Sequence, residues 1–135
     1  MLKKNAEPVS DYDNILIGDV GGTNVRLQLI RLFHSDISKR EELKPLTKYS
    51  SQAYPSFIAC VEEFLQGVSP SSLPRVGVVG MAGPVVDNKI PVTVNIPHWP
   101  VADGSEVQKK FSLDSFTFIN DFTAAGYGIS RVTDK

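Results

Sequence analysis

Two short stretches hold the residues whose types suit phosphate and acid–base chemistry. The first, Gly18-Asp19-Val20-Gly21-Gly22-Thr23-Asn24, sets two adjacent glycines and a threonine just after a carboxylate. The second, Asn120-Asp121, follows about a hundred residues later. A glycine pair lets successive backbone N–H groups point into one concavity, a shape that holds phosphate oxygens. Thr23 can add a hydroxyl donor. Asp19 can stand near a magnesium ion, through water, because that ion sheds its hydration shell reluctantly. An aspartate such as Asp121 can take the proton of an attacking hydroxyl while the Asn120 amide hydrogen-bonds the same substrate. Phosphoryl transfer needs those parts: a base beside the nucleophile and a metal at the phosphates.

Each stretch also has a plainer reading. Glycine pairs are common turn residues that supply positive φ between antiparallel strands. An aspartate ahead of "FTAA" is a favoured helix N-cap. A cap does not use every carboxylate lone pair, so both readings of Asp121 can hold. Two familiar phosphate loops fail on spacing. The Walker pattern needs a lysine and the loop has none; the dinucleotide fingerprint needs glycine at offsets where this chain has Val20 and Thr23.

The surrounding pattern indicates how the chain places these residues. Residues 1–13 read as a polar arm, and Ile15–Ile17 as a short buried strand ending at Gly18-Asp19. Val25, Leu27 and Leu29 alternate with polar residues, which predicts a second strand and a hairpin across the glycines. "HSDISKREELKP" reads as a polar connection and "LTKYSS" as a third strand. Phe57, Val61, Phe64 and Val68 form one helical stripe, with Pro55 in the first turn, Gly67 at the end and Glu62 and Glu63 on the solvated side. Val76–Val79 reads as a buried strand leading into a glycine-rich turn, with Asp87 and Asn88 as turn formers before the next strand. Prolines 91, 97 and 100 predict an edge strand and a packed loop, anchored by Trp99. "GSEVQKKF" predicts a short helix capped by Ser105, "SFTFI" a strand ending at Asn120-Asp121, and "FTAAGYGIS" the start of another helix. Helices between the later strands require crossovers, hence parallel pairing. The fold class is α/β: a mixed sheet with an N-terminal antiparallel meander and parallel strands joined by helices. If the last strand parallels the first, Asp19 and Asp121 share the carboxyl edge, where open α/β sheets bind ligands.

"GDVGGTN-x-R-L", "GMAGPV", "VNIPHW" and "INDFTA", in that order, resemble the landmarks of the bacterial-type glucokinases. These are hexose kinases of the sugar kinase, heat-shock ATPase and actin superfamily. The resemblance implies a ribonuclease H-like, actin-like ATPase domain with ATP and Mg²⁺ as cofactors and glucose or another hexose as substrate. It implies that Gly21, Gly22, Thr23 and Asn24 lie against the ATP phosphates, with Asp19 near the magnesium. Asp121 would deprotonate the sugar 6-hydroxyl, Asn120 would bind the sugar, and Asn95 would lie close to its pocket. Residues 14–135 would be the small N-terminal domain. The larger second domain of the family, with its own phosphate loop and adenosine pocket, would have to come in cis or in trans. A lone small domain exposes the face that meets its partner, which favours a homodimer. Two other readings stay open: a non-catalytic sugar- or partner-binding module derived from a kinase, and another ATPase of the superfamily.

The totals fit such a domain and exclude other classes. The chain has 135 residues, 41% hydrophobic and 21% charged, enough for one domain with a core. A net charge of -1 gives nothing that attracts nucleic acid or an anionic membrane. Cys60 is the one cysteine, so there is no internal disulfide or cysteine-cluster zinc site, and its place on the helical stripe marks it as a core residue. His34 and His98 stand alone, without metal-ligand spacing. A polar N-terminus and the lack of a long apolar run indicate a cytoplasmic protein with no membrane span.

Overall fold

The computed structural model describes residues 11–81, 83–91 and 96–120. Asp121, Asn95 and the helix expected after residue 121 lie outside them. Among the described residues five strands form one sheet in the order β3-β2-β1-β4-β7. They are β1 (Tyr12–Val20), β2 (Asn24–Phe33), β3 (Asp36–Ser50), β4 (Val76–Met81) and β7 (Ser115–Ile119). A separate two-stranded ladder joins β5 (Lys89–Ile90) to β6 (Ala102–Asp103). β1 pairs antiparallel with β2 and β2 with β3, while β4 runs parallel to β1 and β7 parallel to β4. This is the mixed sheet that the sequence pattern predicts.

Two helices make the parallel crossovers: α1 (Phe57–Leu65) between β3 and β4, and α2 (Gly104–Lys110) between β4 and β7. Both crossovers step in the same direction along the sheet, so the right-handed rule puts both helices on one face. Leu16, Val20, Val25, Leu27 and Leu29 fill that face against Phe57, Cys60, Val61 and Phe64 of α1 and Val107 of α2. Fully burying a side chain the size of Phe64 or Leu16 is worth roughly 1.5–3 kcal/mol, so this layer is the main core. The alternate residues Ile15, Ile17, Ile30 and Leu32 form a smaller buried cluster on the opposite face. β1 is therefore apolar on both faces, which is why it reads as a continuous run.

Several boundaries differ from the sequence reading. Tyr12 and Asp13 begin β1 rather than ending an arm, and β1 continues past Gly18-Asp19 to Val20. "HSDISKREELKP" is not a connection; from Asp36 it belongs to the fifteen-residue strand β3. Among the described residues β3 is one of the two outer strands of the sheet, so its side chains are largely exposed and the apolar alternation that marks a strand is missing. Its register shifts opposite Gln28, where Pro45 and Leu46 face one partner residue, a bulge that accommodates proline on an edge.

Helix α1 starts two residues after Pro55, because the Ser56 side chain accepts a bond from the Ala59 amide and is the cap. It ends at Leu65. Gly67, at φ 79°, makes the left-handed turn that leads Val68 away half-buried. Helix α2 is capped by Asp103, not Ser105: the Asp103 carboxylate accepts from the Ser105 amide at 2.9 Å and its hydroxyl at 2.7 Å. Those two bonds hold the Asp103 carboxyl below its ordinary range. No helix among the described residues is long and apolar enough to cross a membrane.

Candidate functional site

The parallel strands bring Asp19 and Asn120 to one edge. Asp19 pairs in register with Gly80 of β4, and Gly80 with Ile119 of β7, so Asn120 follows at the same carboxyl edge. Gly80, which is buried, sits between them in the register. The sequence reading did not single out Gly80. Asn120 is exposed, while Asp121 and Asn95 fall outside the described residues.

Asp19 lies directly opposite Arg26 across the β1–β2 hairpin, and their side chains meet at 3.5 Å. That contact is long and its partners are partly exposed, so the carboxylate keeps acceptor capacity for another cation. Among the described residues no three acidic, histidine or cysteine side chains gather as a metal site. A carboxylate acting on Mg²⁺ through water and phosphate does not require such a cluster. Gly18, just before Asp19, is a packing requirement, since a Cβ there would collide with the Arg26 carbonyl.

The glycine loop differs from an ordinary hairpin turn. Neither Gly21 nor Gly22 has positive φ, so the demand for a left-handed backbone does not explain the pair. The Gly21 amide donates to the Asn24 carbonyl at 2.8 Å, which narrows the reversal to Gly22 and Thr23. The loop's own carbonyls turn toward the 3₁₀ turn Ser51–Ala53 that follows β3. The Ser51 hydroxyl donates to Gly21 at 2.8 Å, the Ser51 amide to Thr23 at 2.9 Å and the Gln52 side chain to Gly22 at 3.3 Å. The Gly22 and Thr23 amides find no acceptor among the described residues. With its acceptors engaged and two donors left over, the loop has the hydrogen-bonding character of an anion cradle. These residues therefore fit a phosphate chain with its magnesium. Ser51 was not legible as a site residue, because serine at a strand end is commonplace.

The β7 side of the edge is held by Asn88. With Asp87 at φ 53° and Asn88 at φ 60°, Val86 and Lys89 exchange backbone bonds of 2.9 and 3.0 Å, a two-residue hairpin. The Asn88 side chain then donates to the Phe116 carbonyl at 2.7 Å and accepts from the Phe118 amide at 2.7 Å. It takes the place of a neighbouring strand on the outer edge of β7. A Cβ at Gly104 would collide with it. The sequence reading saw Asn88 only as a turn former.

Other singled-out residues are structural. Trp99 is buried and donates to the Tyr54 carbonyl at 2.8 Å, the loop anchor expected of it. His98 reaches the same carbonyl at 3.0 Å, and His34 pairs with Asp13 at the surface. Cys60 is fully buried and burial pushes its thiol up to about 11, which makes it an inert core residue.

The family model described as glucokinase matches residues 16–135. The chain belongs to the glucokinase family. A glucokinase of Nostoc sp. is 33% identical over 117 residues, which are 85% of this chain and 32% of that protein. The crystal structure of glucokinase from an Antarctic psychrotroph superposes with a TM-score of 0.68 at 28% identity, over 83% of this chain and 33% of that one. A ROK family glucokinase from Streptomyces griseus, solved with glucose and AMPPNP, shares the fold at a TM-score of 0.60 and 19% identity, over 87% of this chain and 36% of that one. The chain spans about a third of the length of the curated relatives it matches, with 32% of the Nostoc enzyme covered. Its sheet order and crossovers are those of the sugar-kinase, actin-like ATPase fold.

Proposed function

We propose that this chain forms the N-terminal wall of an ATP-dependent glucokinase active site. The observation that carries the reading is the glycine loop at the carboxyl edge of the sheet, with its carbonyls engaged and two amides without an acceptor among the described residues, inside a glucokinase-family chain. Gly21, Gly22, Thr23 and Asn24 would line the ATP phosphates, and Asp19 would hold Mg²⁺ through water. The magnesium ion would neutralise phosphate charge. Asn120 would orient the hexose, with Asn95 near it, and Asp121 would take the proton from the 6-hydroxyl as the phosphoryl group is transferred. The rest of the family's length would supply the adenosine side, in cis or in trans. The substrate would be glucose or a similar hexose, and the compartment the cytoplasm.

The test is ATP-dependent glucose phosphorylation by the whole protein and its Asp121→Asn variant. The expected result is a kcat lower by about 10²–10⁴ in the variant with little change in the KM for ATP. A wild-type protein that phosphorylates no hexose sinks this reading. The non-catalytic module would then lead, with hexose binding measured by calorimetry as its own test.

A further inference from the structure

The glycine loop is held by something outside its own hairpin. β3 closes on β2 at the pair Asn24 and Ser50, and the next residue, Ser51, is fully buried. Three successive loop carbonyls, Gly21, Gly22 and Thr23, are bound by Ser51 and Gln52. In a trans peptide the carbonyl of one residue and the N–H of the next point in opposite directions. Fixing the Gly21 and Gly22 carbonyls toward Ser51–Gln52 therefore aims the Gly22 and Thr23 amides away from that turn. Those are the two amides without an acceptor among the described residues.

The turn is fixed at its far end as well. The Tyr54 carbonyl accepts from the Trp99 indole at 2.8 Å and from His98 Nε2 at 3.0 Å. Trp99 in turn donates its amide to Ile96, which is fully buried. Residues 51–54 thus span from the loop to a buried anchor more than forty residues away in sequence.

We propose that Ser51 is a positioning residue: with Gln52, and braced through Tyr54 by Trp99, it pre-aims the Gly22 and Thr23 amides at a polyphosphate. The inference rests on the kinase reading for its biological meaning, but its geometry can be tested without catalysis. A loop whose donors are already aimed loses less freedom when the anion arrives, so the effect belongs to phosphate affinity and not to the acceptor sugar.

The first test is a titration of the ¹⁵N-labelled 135-residue chain with inorganic tripolyphosphate. The Gly22 and Thr23 amide signals should move, and Ser51→Ala should weaken the apparent Kd about three- to tenfold, the effect of losing one hydrogen bond. Ser51→Thr, which keeps the hydroxyl, should restore it. In the whole protein the same Ser51→Ala change should raise the KM for ATP by a similar factor and leave the KM for glucose within about twofold. If Ser51→Ala fails to fold, Trp99→Phe loosens the brace from its far end while keeping a ring in place, with an expected weakening of about twofold.

Wild-type Gly22 and Thr23 signals that ignore tripolyphosphate would overturn the proposal, as would Ser51→Ala and Trp99→Phe chains that bind it as wild type does. A chain that binds tripolyphosphate in a Ser51-dependent way, in a protein without kinase activity, would sink the enzyme reading and keep this one. An active kinase indifferent to Ser51 and Trp99 would do the reverse.

Discussion

The two sides of the candidate site are built differently. On one side, Asp19 and the glycine loop sit in a hairpin whose nine residue pairs are close in sequence. On the other, β7 ends at the site edge, and among the described residues its outer edge is held by one side chain, Asn88, from 28 and 30 residues away. The β1–β2 ladder fixes Asp19 by repeated backbone pairing, so no single side chain decides its place, while the loop beyond the ladder leans on Ser51. β7 has its ladder with β4 on one side and, among the described residues, the Asn88 carboxamide on the other, so a single change should loosen its outer edge. Among the described residues β7 is also the outer strand, without a second neighbour to share the load.

The largest expected effect tests that dependence. Asn88→Ala removes both bonds to Phe116 and Phe118 and puts alanine at φ 60°, a left-handed conformation that costs it about 1–2 kcal/mol. With the unpaired β7 groups added, the loss should total about 2–4 kcal/mol, read by urea unfolding. Hydrogen exchange should show where it falls. Amides 116–118 should lose protection first while 12–33 keep theirs. Equal loss in both segments would mean the sheet unfolds as one unit and the two walls are not separate. Asn88→Gly relieves the backbone cost and leaves the bond loss alone.

The next effect concerns the helix beneath both walls. Cys60 of α1 is fully buried and its thiol is raised to about 11 from an ordinary value near 9. A raised folded value means the neutral thiol is favoured by the fold. The stability it contributes is complete below about pH 9 and is lost as pH rises toward 11. The loss should be on the order of 2 kcal/mol across that window. Melting curves of wild type and Cys60→Ala from pH 8 to 11 isolate it, because the variant lacks this part of the decline. Identical slopes would show that the thiolate is accommodated. In the native protein the thiol should also resist Ellman's reagent until the chain unfolds.

The contrast between the walls also explains what could be read in advance. The hairpin, the parallel strands and the shared edge followed from local patterns: the alternation of Val25, Leu27 and Leu29, the run at Val76–Val79 and the helical stripe at Phe57. Asp19 and the glycines stood out because their types are unusual beside a buried strand. β3 was hidden because an exposed edge strand carries no apolar alternation. Ser51, Asn88 and Gly80 were hidden for another reason. Their roles come from pairings between distant segments, Ser51 with Gly21 and Asn88 with Phe116, and the residue type alone announces neither. Gly80 gains meaning only once the register sets it between Asp19 and Ile119.

A smaller effect refines the β7 side. Asp103 caps α2, the helix that delivers the chain to β7, and its carboxyl is held low by Ser105. Asp103→Ala should lower the midpoint of thermal or urea unfolding by less than Asn88→Ala does. In wild type this contribution is present above the ordinary aspartate value near 3.8 and is lost as pH falls through the lowered one. If Asp103→Ala at pH 7 matches wild type, Gly104 and Ser105 are capping the helix without it.

The smallest effect should come from the hairpin side, and it is the sharper test of the comparison. Arg26 meets Asp19 at 3.5 Å, with side chains 41% and 27% exposed. A partly exposed pair of that length contributes about 0.2–1 kcal/mol at most, and salt screens it further. The nine-pair ladder of β1 and β2 fixes Asp19 whether or not the ion pair forms. Arg26→Gln should therefore leave the unfolding midpoint within about 0.5 kcal/mol of wild type and hairpin amide protection unchanged. A loss comparable to that of Asn88→Ala would mean that this wall, too, depends on one side chain. The two sides of the site would then differ in sequence distance alone, not in how they are held.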